Sequence, residues 1–322
     1  MKLATYLDRG APGPAPRIGV IRKPDDMIVD LARAHELSDL GAADVPAPAL
    51  ADMTTLLRAG QAAMDAARRL AERPPEESLV PLGSVRLLAP VPRPNTIRDF
   101  MAFEGHVLNS LRTMARLRGQ DPAAVRVPDV WYRFPAYYKG NPMSVIGPDA
   151  EVVWPSYEPK LDYELEFGCF IGKAGKDIPA ERAKDHIAGF TIFNDFSARE
   201  TQTEEMQQLL GPAKGKDFDT GNAMGPYLVT PDEVGDPYGL TMVARVDGEE
   251  WSRGHSSGMH WTFEQLIAYV SRDETLYPGD FLGSGTVTTG TGLELDRWIV
   301  PGATVELEVE RLGALRNRVV RR

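Results

Sequence analysis

The sequence predicts an α+β fold in which strands dominate. Short runs rich in aliphatic and aromatic residues, separated by turns that contain Gly or Pro, recur over most of the chain. Amphipathic helical patterns are sparser and do not alternate with the strands, as a doubly wound parallel sheet would require. With 322 residues, of which 43% are hydrophobic and 25% charged, the chain has the composition of a globular protein with a large core.

Residues 1–84 are predicted to form a small N-terminal α+β domain. Its strand-like pieces are LATYL, RIGVIR and MIVDL, and an amphipathic helix follows from about Met53 to Arg73. The Pro-rich, charged segment ERPPEES then breaks the helical pattern. We therefore place a domain boundary near residue 84 and assign residues 85–322 to a larger second domain.

The second domain begins with VRLLAPV and consists mostly of strand patterns. The clearest of these are EVVWP, YELEFGCFIG, AGFTIFND, GPYLVT, TMVARVDG and TVELEVE. Helical patterns are confined to about 105–118, 180–189 and 262–272. The glycine-rich stretch GSGTVTTGTG at 283–292 lacks the Lys-Ser/Thr pair of a phosphate-binding loop, so it is predicted to be a turn-rich connection.

The charge balance argues against nucleic acid and anionic membrane as partners. Lys and Arg total 36 and Asp and Glu total 46, which gives a formal net charge of −10, and no basic stripe with interleaved aromatic residues is present. The single cysteine, Cys169, lies in an apolar run and is expected to be a small buried hydrophobe. Without a recognisable signal segment, the expected location is the cytoplasm.

The stretch LDYELEFGCF at 161–170 places Glu164 and Glu166 on one face of a strand that is otherwise apolar. Taken alone, such a pair is typical of a solvent-facing edge. If the face is interior, the two charges repel by about 2 to 3 kcal/mol at an effective dielectric constant near 20, before the larger cost of desolvation. Asp195 and Asp99 also follow apolar strands. Four such carboxylates, without cysteine or paired histidine ligands, favour Mg²⁺ or Mn²⁺, with Ca²⁺ as an alternative, over zinc.

From Asp99 to the C-terminus, the sequence resembles the fumarylacetoacetate hydrolase superfamily. The motifs that carry the resemblance are DYELEFGCFIG, GFTIFNDFSARETQ, GKDFDTGNAMGPYLVT, LYPGDFLGSGTV and LELDRW. The resemblance implies a mixed β-roll catalytic domain, a homodimer, and a divalent metal held by Glu164, Glu166 and Asp195. It adds Asp99 as a fourth metal ligand.

The resemblance also assigns a proton-transfer pair. His106 follows Asp99 by seven residues, the separation found in the hydrolases, and is paired with Glu294 of LELDRW. A carboxylate that orients an imidazole suits it to accept a proton from water near neutral pH. Without this context, His106 and Glu294 would be ordinary packed or strand-edge residues.

Further residues resemble the family's substrate contacts. Lys216, Arg199 and Gln202 are expected to stabilise a negatively charged oxygen, an effect worth about 3 to 4 kcal/mol for each well-placed donor in a dry site. Tyr138 and Thr286 are expected to hold a substrate carboxylate or carbonyl, with Tyr137 as an alternative to Tyr138.

The implied reaction is metal-assisted cleavage of a carbon–carbon bond in a 1,3-dicarbonyl acid, such as an acylpyruvate or a fumarylacetoacetate-like compound. Met101 and Met206 stand where the fumarylacetoacetate enzyme is expected to have tyrosines, which argues against fumarylacetoacetate itself. An arginine for the distal carboxylate is sought among Arg112, Arg116 and Arg133, within a predicted lid at 106–133. A 2-oxo acid hydratase, decarboxylase or isomerase is the first alternative, and a non-catalytic metal-braced binding protein is the second.

Overall fold

Three sheets organise the part of the chain that the structure describes. The structure is a computed structural model, and it describes residues 1–10, 15–23, 25–38 and 45–322. The strands are β1 (Lys2–Asp8), β2 (Arg17–Arg22), β3 (Met27–Asp30), β4 (Leu79–Pro81), β5 (Val85–Leu87), β6 (Ile97–Phe100), β7 (Tyr137–Gly140), β8 (Val145–Ile146), β9 (Glu151–Val153), β10 (Leu161–Asp162), β11 (Leu165–Ile171), β12 (Ile187–Asp195), β13 (Ser197–Ala198), β14 (Asn222–Val229), β15 (Thr241–Val246), β16 (Glu249–His255), β17 (Phe281–Gly283), β18 (Thr304–Val309) and β19 (Gly313–Val320). The α-helices are α1 (Leu31–Leu37), α2 (Met53–Ala59), α3 (Gln61–Glu72), α4 (Glu104–Leu117), α5 (Arg199–Met206), α6 (Pro231–Val234), α7 (Phe263–Val270) and α8 (Gly292–Leu295). The predicted α+β, mainly β fold is confirmed.

The largest sheet has the strand order β4-β3-β2-β1-β14-β12-β11-β17-β6-β7, with β5 paired to β1 and β8 paired to β14. The central strands β11 and β14 are buried along their whole length, and β12 is buried after its first residue. This accounts for their nearly continuous apolar sequences, since a strand covered on both faces has no reason to alternate. Cys169 lies in β11 and is 0% exposed, as expected. A second sheet has the order β16-β15-β18-β19-β9, and β10 pairs with β13.

The N-terminal strands join the large sheet through β1, where Leu3 pairs with Leu228 of β14. The single helix predicted from Met53 to Arg73 is wrong, because Gly60, at φ 75°, separates α2 from α3. Glycine adopts this positive φ without the steric cost that other residues incur. The domain boundary near residue 84 stays a prediction.

The helical patterns of the larger domain have two outcomes. Those at 105–118 and 262–272 are confirmed as α4 and α7. The one at 180–189 is wrong in type, because 180–186 form a 3₁₀ turn and β12 begins at Ile187. No helix in the described parts of the chain has both the length and the hydropathy needed to cross a bilayer.

The order of the central strands brings distant acidic residues together. Strand β17 lies between β6 and β11, and Gly283 of β17 pairs with both Asp99 and Gly168. Strand β12 lies on the other side of β11, where Glu166 pairs with Phe193. The three carboxylate-bearing strands therefore occupy one part of the sheet although they are far apart in sequence.

Candidate metal centre and active site

Asp99, Glu166 and Asp195 form a buried acidic cluster. One carboxylate oxygen from each lies within 4.8 Å of the other two, and the residues are 5%, 0% and 0% exposed. Within the described residues, Glu166 Oε2 and Asp195 Oδ1 are buried without a hydrogen-bond partner. Oxygen atoms left in this state, close to other carboxylates, fit a hard divalent cation.

The electrostatics of this acidic cluster call for added positive charge or protons. Burial and the neighbouring Asp195 raise the pKa of Asp99 to about 8. Burial, the carboxyl of Asp99 and that of Glu164 raise the pKa of Glu166 well above its usual value. Burial also raises the pKa of Asp195 to about 6, although Lys216 opposes this. Two full charges 4.8 Å apart repel by about 3.5 kcal/mol at an effective dielectric constant of 20.

Glu164 stands beside this cluster and is not one of the three clustered residues. Its Oε2 accepts a hydrogen bond from Lys216 Nζ at 2.7 Å, and its Oε1 lies 2.9 Å from Arg199 Nη1. Burial disfavours its charge, but Lys216 and Arg199 outweigh burial and lower its pKa to about 2. Glu164 is therefore ionised and paired with cations, and its role as a metal ligand stays a prediction.

Lys216 provides the positive charge that the sequence requires between these carboxylates. Its side chain is 2% exposed, and Nζ donates to Asp195 Oδ2 at 2.6 Å as well as to Glu164. Burial lowers the pKa of Lys216, but the two carboxylates outweigh burial and raise it above the usual value. The side chain remains an ammonium across the physiological pH range.

Arg199 and Gln202 lie one turn apart on α5 and contact each other. Arg199 Nη1 donates to Gln202 Oε1 at 2.9 Å, and Nε donates to Asp162 Oδ2 at 2.8 Å. The guanidinium is thus held between Asp162 and Glu164. Arg199 therefore contacts Glu164 directly, and Gln202 contacts Arg199.

His106 and Glu294 form the predicted pair, with Nδ1 of the imidazole 2.8 Å from Glu294 Oε2. Glu294 also accepts hydrogen bonds from Asn109 Nδ2, Thr289 N and Thr291 Oγ1. Because these other partners are donors, Glu294 is an ionised acceptor and the Nδ1 of His106 carries the proton. This tautomer leaves Nε2 as the proton acceptor. His106 lies close enough to Glu164 that the imidazole, once it has accepted a proton, lowers the pKa of that carboxyl.

Tyr138 and Thr286 both contact the acidic cluster. Tyr138 donates to Asp195 Oδ2 at 2.5 Å, and Thr286 donates to Glu166 Oε1 at 3.0 Å. Tyr137 instead packs against the ring of Phe100, with centroids 5.2 Å apart. The geometry therefore selects Tyr138 over its neighbour as the tyrosine that faces the cluster.

The structure also places residues that the sequence analysis missed or left open. Asp162 is fully buried against Arg199 and was missed. Its position two residues before Glu164 was a usable signal, because in an extended chain Asp162, Glu164 and Glu166 lie on the same face. Among the three candidate arginines, Arg116 donates to Thr113 of its own helix. Met101 and Met206 are 46% and 49% exposed.

Comparisons with known proteins identify relatives of this chain. Residues 96–320 match the family profile described as fumarylacetoacetate (FAA) hydrolase C-terminal. Oxaloacetate tautomerase FAHD2A, mitochondrial, from Homo sapiens is 36% identical over 273 residues, which cover 83% of this chain and 79% of that protein.

Solved structures share the fold over the whole chain. A putative HpcE protein from Mycobacterium smegmatis superposes with a TM-score of 0.73 at 27% identity, covering 100% of this chain and 99% of that one. Maleylpyruvate hydrolase from Sphingobium sp. SYK-6, solved in complex with manganese(II) ion and pyruvate, has the same fold, with a TM-score of 0.72 at 24% identity and coverage of 100% and 99%. Because the family profile matches residues 96–320, which is most of the chain, the chain belongs to the fumarylacetoacetate hydrolase family.

Proposed function

We propose that the protein is a divalent-metal-dependent hydrolase that cleaves a carbon–carbon bond in a 1,3-dicarbonyl acid, such as an acylpyruvate. The observation that carries this proposal is the His106–Glu294 pair, with 2.8 Å between Nδ1 and Oε2, within electrostatic range of Glu164. An oriented imidazole with a free Nε2 is suited to take a proton from water. Hydrolysis needs that step.

The metal is proposed to be Mg²⁺ or Mn²⁺, with Asp99, Glu166 and Asp195 as ligands and Glu164 as a fourth. The unpartnered, buried oxygens of Glu166 and Asp195 support this assignment. A bound divalent cation would act as a Lewis acid towards the oxygens of the substrate.

The chain's own residues account for the proton and charge movements. His106 Nε2 takes a proton from water, and the resulting hydroxide adds to one carbonyl carbon. The bond between this carbonyl carbon and the neighbouring carbon then breaks, and its electron pair remains with the departing enolate. His106 finally gives its proton to the enolate carbon that lost the bond. Lys216 and Arg199, with Gln202, supply donors and positive charge where the oxygen becomes negative. Tyr138 and Thr286 are proposed to hold the carbonyl or carboxylate of the substrate.

The second candidate is an oxaloacetate tautomerase. It is favoured by the 36% identity to the human protein of that name over 83% of this chain. In a tautomerase, His106 would move a proton between carbon and oxygen, and no water would add to the substrate. The two candidates therefore use the same base for different reactions.

The test is a substrate panel of acylpyruvates, oxo-pentenoates and enol-oxaloacetate, with Mg²⁺ or Mn²⁺ and with EDTA. A hydrolase should form two products from an acylpyruvate, stop in EDTA and recover with added metal. His106→Ala should abolish cleavage, whereas a variant of the exposed His255, His255→Ala, should not. Tautomerisation of enol-oxaloacetate with no cleavage of any acylpyruvate would replace the first candidate by the second. Full activity in EDTA would contradict both.

Other expectations accompany this proposal. The substrate is a small dicarbonyl or 2-oxo acid, the assembly is a homodimer, and the protein is cytoplasmic. Light scattering during size-exclusion chromatography tests the dimer, because a monomeric mass at micromolar concentration would contradict it.

A further inference from the structure

Asp162 is a buried carboxylate that lies between two parts of the candidate active site. It ends β10 and is 0% exposed. It lies two positions before Glu164, so in an extended chain both side chains point to the same face. None of the roles proposed so far uses it.

Every recorded partner of Asp162 is a hydrogen-bond donor. Oδ1 accepts from the backbone N–H groups of Tyr163 and Gly292, each at 2.9 Å. Oδ2 accepts from Leu293 N at 3.0 Å and from Arg199 Nε at 2.8 Å. Only an ionised carboxylate satisfies such a set of donors without a competing proton.

These contacts connect the two functional groups of the site. The other arm of Arg199 reaches Glu164 and Gln202. Gly292 and Leu293 are the first residues of the single-turn helix α8, which also carries Glu294, the partner of His106. We call this helix the Glu294 turn. The carboxylate of Asp162 therefore binds both the guanidinium of Arg199 and the backbone next to Glu294, which orients the imidazole of His106.

The turn is built for close approach to Asp162. A Cβ atom on Gly292 would lie 2.6 Å from Asp162 Oδ1 and 2.1 Å from the carbonyl oxygen of Arg297. Both distances are shorter than a carbon atom tolerates, so glycine is required at this position for the backbone to reach the carboxylate.

We propose that Asp162 is a positioning residue of the active site, whose single buried charge holds Arg199 and the Glu294 turn in a fixed relation. The proposal rests on the proposed roles of His106 and Glu294. In Asp162→Asn, the amide oxygen can still accept from Gly292 N, but the NH₂ group that replaces the second oxygen faces the donors Leu293 N and Arg199 Nε. Arg199 then keeps Glu164 as its carboxylate partner. Both groups then shift relative to the acidic cluster.

The first test compares Asp162→Asn with Asp30→Asn in the metal-loaded enzyme. Asp30 is a matched control, because it is 2% exposed, is paired with Arg17 and accepts from the backbone N–H of Arg33 at the start of a helix in the N-terminal region. Asp162→Asn should lower kcat about 100-fold, the usual effect of small misplacement of catalytic groups, with little change in KM. Asp30→Asn should lose stability without loss of kcat. Equal kcat values for the two variants would overturn the proposal.

The second test needs no turnover. In protein labelled with ¹⁵N-histidine, the Nδ1–H resonance of His106 is assigned by its absence in His106→Gln. Asp162→Asn should shift or broaden this resonance, and Asp30→Asn should leave it in place. An unchanged His106 resonance in Asp162→Asn would overturn the proposal even if kcat falls.

A third measurement uses the unmodified protein and covers the case in which Asp162→Asn does not fold. The amides of Gly292 and Leu293 should exchange with deuterium as slowly as the amides of β11. Rapid exchange at both positions would overturn the proposal. If the enzyme cleaves no dicarbonyl acid, the proposed function fails, whereas the exchange and histidine measurements still decide the role of Asp162.

Discussion

Binding of Mg²⁺ or Mn²⁺ to the metal-free protein at pH 7 should release at least about one proton per ion. With a pKa of about 8, Asp99 holds about 0.9 proton at pH 7, and with a pKa of about 6, Asp195 holds about 0.1. Burial and the neighbouring carboxyls also raise the pKa of Glu166, so any proton that Glu166 holds adds to this number. A metal ligand must be deprotonated, so these protons leave when the ion binds.

The direction of the pH dependence follows from the same protons. The slope of log affinity against pH equals the number of protons released, so affinity should rise at least about 10-fold per pH unit near pH 7. The slope should become smaller above pH 8, where Asp99 has lost its proton.

Isothermal titration calorimetry in buffers of different ionisation enthalpy measures the proton count directly. In Asp99→Asn, fewer protons should be released, because the variant lacks one of the protonated carboxyls. Release of no protons at pH 7, together with an affinity that does not change between pH 6 and pH 8, would refute the reasoning. In that case the carboxylates would already be ionised before the metal binds.

Three further perturbations have defined outcomes. Glu294→Gln should lower kcat by about 100- to 10,000-fold, because the imidazole of His106 loses the carboxylate that fixes its tautomer; steady-state rates measure this, and a change below 10-fold would contradict it. Gly283→Ala would place a Cβ 2.2 Å from Asp99 Oδ1 and should weaken metal binding by about 10-fold or more in a calorimetric titration. An unchanged affinity would show that the strand yields without moving the ligand. Asp30→Asn should reduce the free energy of unfolding by about 1 to 3 kcal/mol in urea at pH 7. Burial disfavours the charged form of Asp30, but Arg17 and the other donors outweigh burial and lower the pKa of Asp30 below 3.8. The stability difference between the native protein and Asp30→Asn is therefore complete above pH 3.8 and is lost as the pH falls through the pKa of Asp30 in the folded protein. A difference that does not begin to shrink as the pH is lowered below 3.8 would count against that assignment.

The fold class could be predicted because the central strands have long, nearly continuous apolar sequences, which do not show the spacing of an amphipathic helix. The runs that contain Glu166 and Asp195 became β11 and β12, buried almost throughout. The break at Gly60 was missed because the apolar spacing continues on both sides of it, and a single glycine is a weak signal within a helical pattern. The 3₁₀ turn at 180–186 was missed because spacing does not distinguish it from one or two turns of α-helix.

The acidic residues of the site could be found from local sequence, whereas their partners could not. Strand alternation places Glu164 and Glu166 on one face from sequence alone. The pairing of Glu164 with Lys216 joins residues 52 positions apart and depends on how the sheet folds. Family resemblance supplied Lys216 as a residue that stabilises a negatively charged oxygen, but not its position between Glu164 and Asp195. The spacing from Glu164 could have indicated the face on which Asp162 lies, but its donors come from two separate segments and are visible only in the structure.

The position of Cys169 gives the protein a built-in reporter of unfolding. The thiol is 0% exposed in the central strand β11, and burial raises its pKa, which suppresses its reaction with thiol reagents in the native state. Because the chain contains one cysteine, labelling of the protein by a chromogenic disulfide reports one event, the separation of β11 from its neighbours. The rate of colour development in native buffer therefore measures how often the strand that carries Glu166 becomes accessible, without any engineered probe.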